Sequence, residues 1–132
     1  MIIYNSRLAK CLLDKKKHCF MIFGCYFTRY KQLEFWEEME NRIHVRQYTE
    51  CFLPTLVPAV GVSLWISWWF MLIPLSAYHF LYWVERMFRN HSIFDWEASI
   101  HCGDSLYLRK RKSYAWIKKY GKRKLPSSRW AD

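Results

Sequence analysis

The feature that most constrains this chain is a run of 34 residues, from Cys51 to Val84, that contains no Asp, Glu, Lys or Arg. A bilayer core about 30 Å thick is crossed by about 20 apolar residues in a helix that rises about 1.5 Å per residue. The run is long enough to span, and a chain of 132 residues is too small to cover so long an apolar helix. The sequence therefore predicts an all-α membrane protein with a single transmembrane helix, extended or helical N- and C-terminal arms and no independent globular core.

Prolines and aromatic residues set the limits of this predicted span. Pro54 and Pro58 disfavour helix in the residues before them, so we expect an irregular membrane entry over residues 52–57. The helix would then cover residues 59–87, with a bend at Pro74. Tyr and Trp favour the headgroup level because their rings are apolar and their tips are polar. Such rings occur toward both ends of the span, as Trp65, Trp68 and Trp69 and as Tyr78, Tyr82 and Trp83.

Composition divides the chain into four predicted segments. Residues 1–30 form a basic and aromatic interfacial segment, whose uncharged stretch 18–28 suits the membrane surface, a partner or an ordinary packed helix. Residues 31–50 form a charged amphipathic helix with a narrow apolar face. Residues 51–87 form the membrane entry and the transmembrane helix. Residues 88–132 form a basic aromatic C-terminal arm.

The charge distribution suggests an orientation and a type of contact. The C-terminal part from Glu85 holds twelve Lys or Arg against five acids, and the first fifty residues hold nine against six. Basic flanks favour the cytoplasmic or matrix side, so the C-terminal arm is placed in the matrix. Its cations suit anionic lipid or an acidic partner surface better than nucleic acid, because a spanning helix lies next to them. The predicted contact residues of this arm are Arg109, Lys110, Arg111, Lys112, Lys118, Lys119, Lys122, Arg123 and Lys124.

Catalytic and metal chemistry find no support in the sequence. The five cysteines are odd in number and lack CxxC spacing, so they are interpreted as free thiols or small packed hydrophobes. His79, near the end of the predicted span, has no second ligand and is interpreted as structural. We therefore predict no enzyme and no cofactor, while a bound phospholipid such as cardiolipin would suit the basic arm.

A resemblance covers residues 58–104. Val57 and Pro58 open the predicted helix, Tyr78 and His79 close it, and Trp96, Glu97 and Asp104 follow. This pattern resembles the MWFE-type accessory subunit of mitochondrial respiratory complex I. Gly103 stands where that family often has Arg, Ile100 stands where it often has Met, and the first fifty residues have no counterpart. The resemblance implies an inner-membrane accessory subunit that supports assembly and binds no redox centre.

Aromatic residues make up 20% of the chain, more than one helix with two arms can bury by itself. The predicted function is therefore a non-catalytic accessory subunit of a mitochondrial inner-membrane respiratory complex, stabilising assembly by spanning many protein subunits. Complex I is preferred, and complexes III and IV and ATP synthase remain open. The alternative is a membrane-tethered RNA-binding or mitoribosome-associated protein that uses the basic arm over residues 109–124.

Overall fold

The computed structural model describes residues 2–13, 19–89 and 92–119. Within these ranges, three short strands and five helices follow one another, with 3₁₀ turns at Trp68–Met71 and Ile117–Lys119. The strands are β1 (Ile2–Ile3), β2 (Cys19–Ile22) and β3 (Cys25–Thr28). The helices are α1 (Arg7–Leu12), α2 (Phe35–Trp65), α3 (Leu72–Arg89), α4 (Ile93–His101) and α5 (Tyr107–Lys110). Helices α2 and α3 form a hairpin, and α4 packs against the first half of α2.

The prediction of a single transmembrane helix is wrong. The charge-free run is divided between the second half of α2 and most of α3, with a break at Ile66 and Ser67. Ser67 is extended, with φ −166° and ψ 142°, so the chain reverses there. In the described part of the chain, no helix combines the length and the apolar character that crossing a bilayer requires. Run length alone could not distinguish one long helix from two antiparallel ones.

The expected effects of the prolines are also wrong. Pro54 and Pro58 lie inside α2, so residues 52–57 are helical. Each proline removes one backbone hydrogen bond, but α2 continues past both of them because their fixed φ is itself helical. Pro74 lies in the first turn of α3 rather than in a helix interior. Its missing N–H is of no consequence there, because first-turn N–H groups have no partner within the helix.

The N-terminal segment contributes a small sheet, so the fold is not all-α. Strand β3 is central, with β1 parallel to it on one side and β2 antiparallel on the other. Phe23 and Gly24 connect β2 to β3, and both have positive φ, 47° and 74°. Such a two-residue turn matches the twist of a β-hairpin. The stretch over residues 18–28, expected at a membrane surface or in a packed helix, therefore supplies two strands, with residue 18 outside the described residues.

The expectation that the chain has no core of its own is wrong as well. Phe94 and Ile93, at the start of α4, are fully buried. The Phe94 ring lies 5.0 Å from the Tyr78 ring of α3 and 4.9 Å from the Trp116 ring. Tyr48 and Cys51 complete this cluster from α2. Aromatic residues from four parts of the chain thus bury one another without a partner protein.

Candidate functional site

The end of the α2–α3 hairpin, residues 64–73, carries a dense set of exposed apolar side chains. We call this segment the hairpin tip. The side chains of Leu64 and Trp65 are 81% and 91% exposed. The other exposed apolar residues of the tip are Ile66, Trp68, Trp69, Met71, Leu72 and Ile73. A contiguous apolar surface of this kind marks an interaction site, whereas single exposed apolar residues are ordinary.

The local structure of the tip explains this exposure. Helix α2 ends at Trp65, and the N–H of Ile66 still donates to the carbonyl of Val62 at 2.9 Å. The extended Ser67 then turns the chain into a short 3₁₀ segment. Within that segment the rings of Trp68 and Trp69 stack with their centroids 4.4 Å apart. The reversal therefore presents a pair of stacked indole rings close in sequence to the exposed Trp65.

The α2 limb of the hairpin is exposed on more than one face. Beyond Cys51, Ala59 is the only buried residue of α2. Exposed residues follow one another around the helix, as Leu53, Pro54, Val57, Pro58, Val60, Gly61, Val62, Leu64 and Trp65. A helix that packs on a single partner shows one apolar stripe, whereas this limb is open around most of its circumference.

A buried ion cluster lies at the base of the hairpin. The Arg111 side chain is 1% exposed and lies between Glu50 of α2 and Glu97 of α4. Its Nε donates to Glu97 Oε1 at 2.6 Å, and its Nη2 donates to Glu50 Oε2 at 3.1 Å and to Glu97 Oε2 at 3.2 Å. Trp116 Nε1 also donates to Glu50 Oε2, at 3.0 Å. The cluster joins α2, α4 and the segment after α5.

The pKa values reflect this arrangement. Burial alone would raise the pKa of the Glu97 carboxyl, but hydrogen bonds from Arg111, Tyr107 and Gln47 outweigh it, so the pKa lies below its ordinary value. The Tyr107 hydroxyl donates to Glu97 Oε1 at 2.7 Å and Gln47 Nε2 donates to Glu97 Oε2 at 2.9 Å. Burial opposes the charge of Arg111, but both carboxylates raise its pKa. These hydrogen bonds and ion pairs stabilise the charged forms against burial, so the cluster holds α2, α4 and the segment after α5 together.

The other acid that borders the charge-free run is buried too. Glu85 Oε2 accepts hydrogen bonds from Ser92 Oγ at 2.8 Å and from the N–H of Ile93 at 2.9 Å. It therefore pairs an N–H of the first turn of α4 and complements the positive end of that helix. In the sequence, Glu50 and Glu85 only mark the two ends of the charge-free run. Ser92, a good N-cap residue, was the signal that a helix begins there.

The residues quoted for the family resemblance do not form one site. Pro58 is exposed in the second half of α2, and Asp104 is exposed before α5, where its Oδ1 accepts from the N–H of Leu106 at 2.9 Å. Trp96 is buried in α4, and Glu97 belongs to the ion cluster.

Tyr78 and His79, which are adjacent in the sequence, lie on α3 beside a cavity. The Tyr78 hydroxyl lies 3.0 Å from His44 Nδ1, and both Tyr78 and His79 line a cavity. Burial lowers the pKa of His79, whose ring lies 6.0 Å from the Tyr48 ring. Packing between rings accounts for its position.

The predicted contact residues are distributed over several surfaces. Trp65, Trp68 and Trp69 belong to the tip, while Trp83 is exposed on α3 and Tyr82 is half-buried, its hydroxyl donating to Asp95 Oδ2 at 3.0 Å. Arg109, Lys110, Lys112 and Lys118 are exposed. Arg111 is separated from these basic residues by its burial in the ion cluster. The side chain of Lys119, and all of Lys122, Arg123 and Lys124, lie outside the described residues.

Comparison with known proteins adds no relative. No family model, no curated protein and no solved structure matches this chain. The resemblance to the MWFE-type subunit therefore stays a hypothesis carried by the residues quoted for it.

Proposed function

We propose that this chain is a non-catalytic docking protein that attaches to a bilayer surface through the hairpin tip, without crossing the bilayer. The observation that carries the proposal is the exposure of Trp65, Trp68, Trp69 and their apolar neighbours in a segment free of charged residues. Fully burying one large apolar side chain contributes about 1.5–3 kcal/mol. Four such side chains would contribute roughly 6 kcal/mol at the lower value, comparable to a single myristoyl chain, which binds membranes reversibly.

The shape of the exposed surface favours lipid over a protein groove. Lipid surrounds whatever enters it, and the α2 limb is exposed around most of its circumference. Lipid also has no requirement for complementary shape. A net charge of +10 adds a long-range attraction to anionic headgroups, which salt weakens.

The depth of insertion follows from the residues at the reversal. Trp rings favour the headgroup level, and the tip contains three of them. The last carbonyl groups of α2 have no partner within their helix, and water or headgroups at that level can pair with them. We therefore place the tip in the interfacial layer, about 5–10 Å deep.

A second surface favours a protein partner. Phe80, Trp83 and Met87 are 69%, 72% and 73% exposed and follow one another at spacings of three and four residues along α3. Such a stripe suits a groove on another protein. The role of an accessory subunit in a respiratory complex, inferred above from the resemblance, would use this stripe while the tip holds the chain at the membrane.

Vesicle flotation tests the membrane proposal. We expect the wild-type chain to float with phosphatidylcholine vesicles, and more strongly when they contain an anionic lipid. Its Trp fluorescence should be quenched more by lipids brominated near the headgroup than near the acyl terminus. A triple variant, Trp65→Ser, Trp68→Ser and Trp69→Ser, should stay in the aqueous fraction, because all three replacements remove exposed apolar surface without opening a core cavity.

The matched control changes the other surface. The triple variant Phe80→Ser, Trp83→Ser and Met87→Ser removes a similar number of exposed apolar side chains from α3. It should still float, and it should lose any co-purifying protein partner. Absence of the wild-type chain from the floating fraction would refute attachment through the tip. An equal decrease of the floating fraction in both variants would also refute it, because it would show nonspecific hydrophobic adsorption.

A further inference from the structure

A cavity of about 410 Å³ lies between the β2–β3 hairpin, α2, α3 and the start of α4. Its size falls in the range of small-molecule sites. Carboxylates from two helices line it, namely Glu37 and Glu40 of α2 and Asp95 of α4. Among the described residues, no Lys or Arg lines it. The cavity therefore has an acidic lining in a chain whose net charge is strongly positive.

The carboxylates influence one another across the cavity. Burial raises the pKa of Glu40, and the charges of Asp95 and Glu37 raise it further. His44, whose Nε2 lies 3.7 Å from Asp95 Oδ1, does not compensate fully, because burial lowers its pKa. A cation in the cavity would relieve this repulsion. Within the described ranges, His, Cys, Asp and Glu do not converge into a group that could hold a metal ion.

Aromatic rings form much of the remaining wall. Tyr26 and Tyr78 are buried, Tyr82 is half-buried, and Trp83 contributes an exposed ring at the side of the cavity. Aromatic faces attract cations, and organic ammonium ions most effectively, because their alkyl groups also gain apolar contact. Carboxylates together with rings suit an organic cation better than a strongly hydrated inorganic one.

A buried side-chain amide without a hydrogen-bond partner adds a second requirement for the ligand. Asn41 is 4% exposed and lines the same cavity. Its Oδ1 accepts from Cys19 Sγ at 3.5 Å, whereas its Nδ2 has no hydrogen-bond partner among the described residues. A buried polar group without a partner is costly, so native structures usually pair such groups. An oxygen atom of a ligand would accept from this amide.

We propose that this cavity binds a small organic ammonium ion carrying an oxygen acceptor close to the charge, the chemistry of choline and ethanolamine. The ammonium group lies among the carboxylates and rings, and the oxygen accepts from Asn41 Nδ2. The same chemistry occurs in free amino alcohols and in phospholipid headgroups. The proposal does not depend on membrane attachment through the tip, because the cavity is lined by residues outside the tip.

Calorimetric titration of the full chain without lipid tests this proposal. We expect saturable binding of choline and ethanolamine, and no comparable binding of 3,3-dimethylbutan-1-ol, which has the shape of choline without its charge. Glu40→Gln should weaken choline binding about ten-fold, because it removes one charge partner of the ammonium group. Glu38→Gln is the matched control, since Glu38 lies on the same helix but pairs with Arg42 outside the cavity, and it should change the affinity less than about two-fold.

Asn41→Leu tests the oxygen contact. Wild-type protein should bind choline more tightly than ethyltrimethylammonium, which lacks the hydroxyl, and the variant should lose this preference. The melting temperature of the variant should not fall, because the lost amide group had an unpaired donor. Glycerophosphocholine distinguishes the source: tighter binding than choline indicates a lipid headgroup, and weaker binding indicates a free amine.

Three results would overturn the proposal. The first is no saturable binding of either amine up to about 10 mM, an affinity weaker than a specific site provides. The second is equal binding of the uncharged analogue of choline. The third is unchanged choline affinity in both the Glu40→Gln and the Asn41→Leu variants when circular dichroism shows that they are folded.

Discussion

Replacing Arg111 with methionine should reveal how strongly the buried ion cluster holds the fold together. The guanidinium pairs with two carboxylates, and the side chains of Glu50 and Glu97 are only 5% and 2% exposed. Methionine keeps much of the side-chain volume but leaves Glu97 buried without its cation, and it leaves Glu50 with only the exposed Arg46, whose Nε lies 3.7 Å from Glu50 Oε1. Removing one partner of a buried ion pair destabilises a protein by about 3–5 kcal/mol. Since small proteins are stable by about 5–15 kcal/mol, we expect a large loss of stability.

The pH dependence of this loss gives a second signature. In the wild-type chain the Glu97 pKa lies below its ordinary value, so its ionised form stabilises the fold above the pKa of the unfolded chain, and this stabilisation is lost as the pH falls through the lowered pKa. In the variant the Arg111 hydrogen bonds are gone and burial raises the Glu97 pKa. The ionised Glu97 carboxylate then destabilises the variant at neutral pH, and protonation of this carboxylate removes the destabilisation. The difference in stability between the two proteins should therefore shrink as the pH falls from neutral through the raised pKa of Glu97 in the variant and then the lowered pKa of Glu97 in the wild-type chain.

Urea denaturation followed by circular dichroism measures this difference. Arg42→Met is the matched control, because Arg42 pairs with Glu38 at 2.6 Å on the exposed side of α2 and its side chain is 57% exposed. Such a surface pair contributes about 0–1 kcal/mol. A loss below about 1 kcal/mol in Arg111→Met, or a loss that does not change with pH, would refute the assignment of Arg111 as the central cation of the cluster.

Two further predictions concern backbone and thiol positions. Gly24→Ala should lower the free energy of unfolding by about 2–4 kcal/mol, because φ of Gly24 is +74° and a Cβ would lie 2.6 Å from the Tyr48 ring. Gly61→Ala is the control, since Gly61 lies in open space within α2, and it should raise the free energy of unfolding by up to about 1 kcal/mol. Equal effects of the two substitutions in urea denaturation would contradict this reasoning. Burial raises the pKa of the Cys51 thiol to about 12, so this thiol should be unreactive in the native protein. Iodoacetamide should therefore modify the exposed Cys11 in the native protein and Cys51 only on unfolding, as mass spectrometry can follow. Modification of Cys51 before Cys11 would refute this prediction.

The positions of the buried acids show where prediction from sequence reached its limit. Glu50 and Glu97 are 47 residues apart, and Arg111 follows Glu97 by another 14. Local periodicity carries no information on pairing at such separations, so the sequence alone does not distinguish Arg111 from its exposed neighbours Lys110 and Lys112. The cavity that Asn41 lines could not be predicted from the sequence for the same reason, because its lining residues come from separate parts of the chain.

The sequence by itself determined that a long uncharged and aromatic-rich segment would be helical and could not be fully covered by so small a chain. Helix formation and incomplete burial both depend on composition and local periodicity. The helices α2 and α3 show the first property, and the exposed tip shows the second. Only the tertiary structure decided that this segment reverses at Ser67 and that the residues around its base form a core. The reversal contains neither Pro nor Gly, so no local signal marked it. It is stabilised by packing between α2 and α3 and by contacts between residues distant in sequence, such as the hydrogen bond that the Tyr48 hydroxyl donates to the carbonyl of Leu75 at 3.3 Å. Only the folded chain brings these residues together.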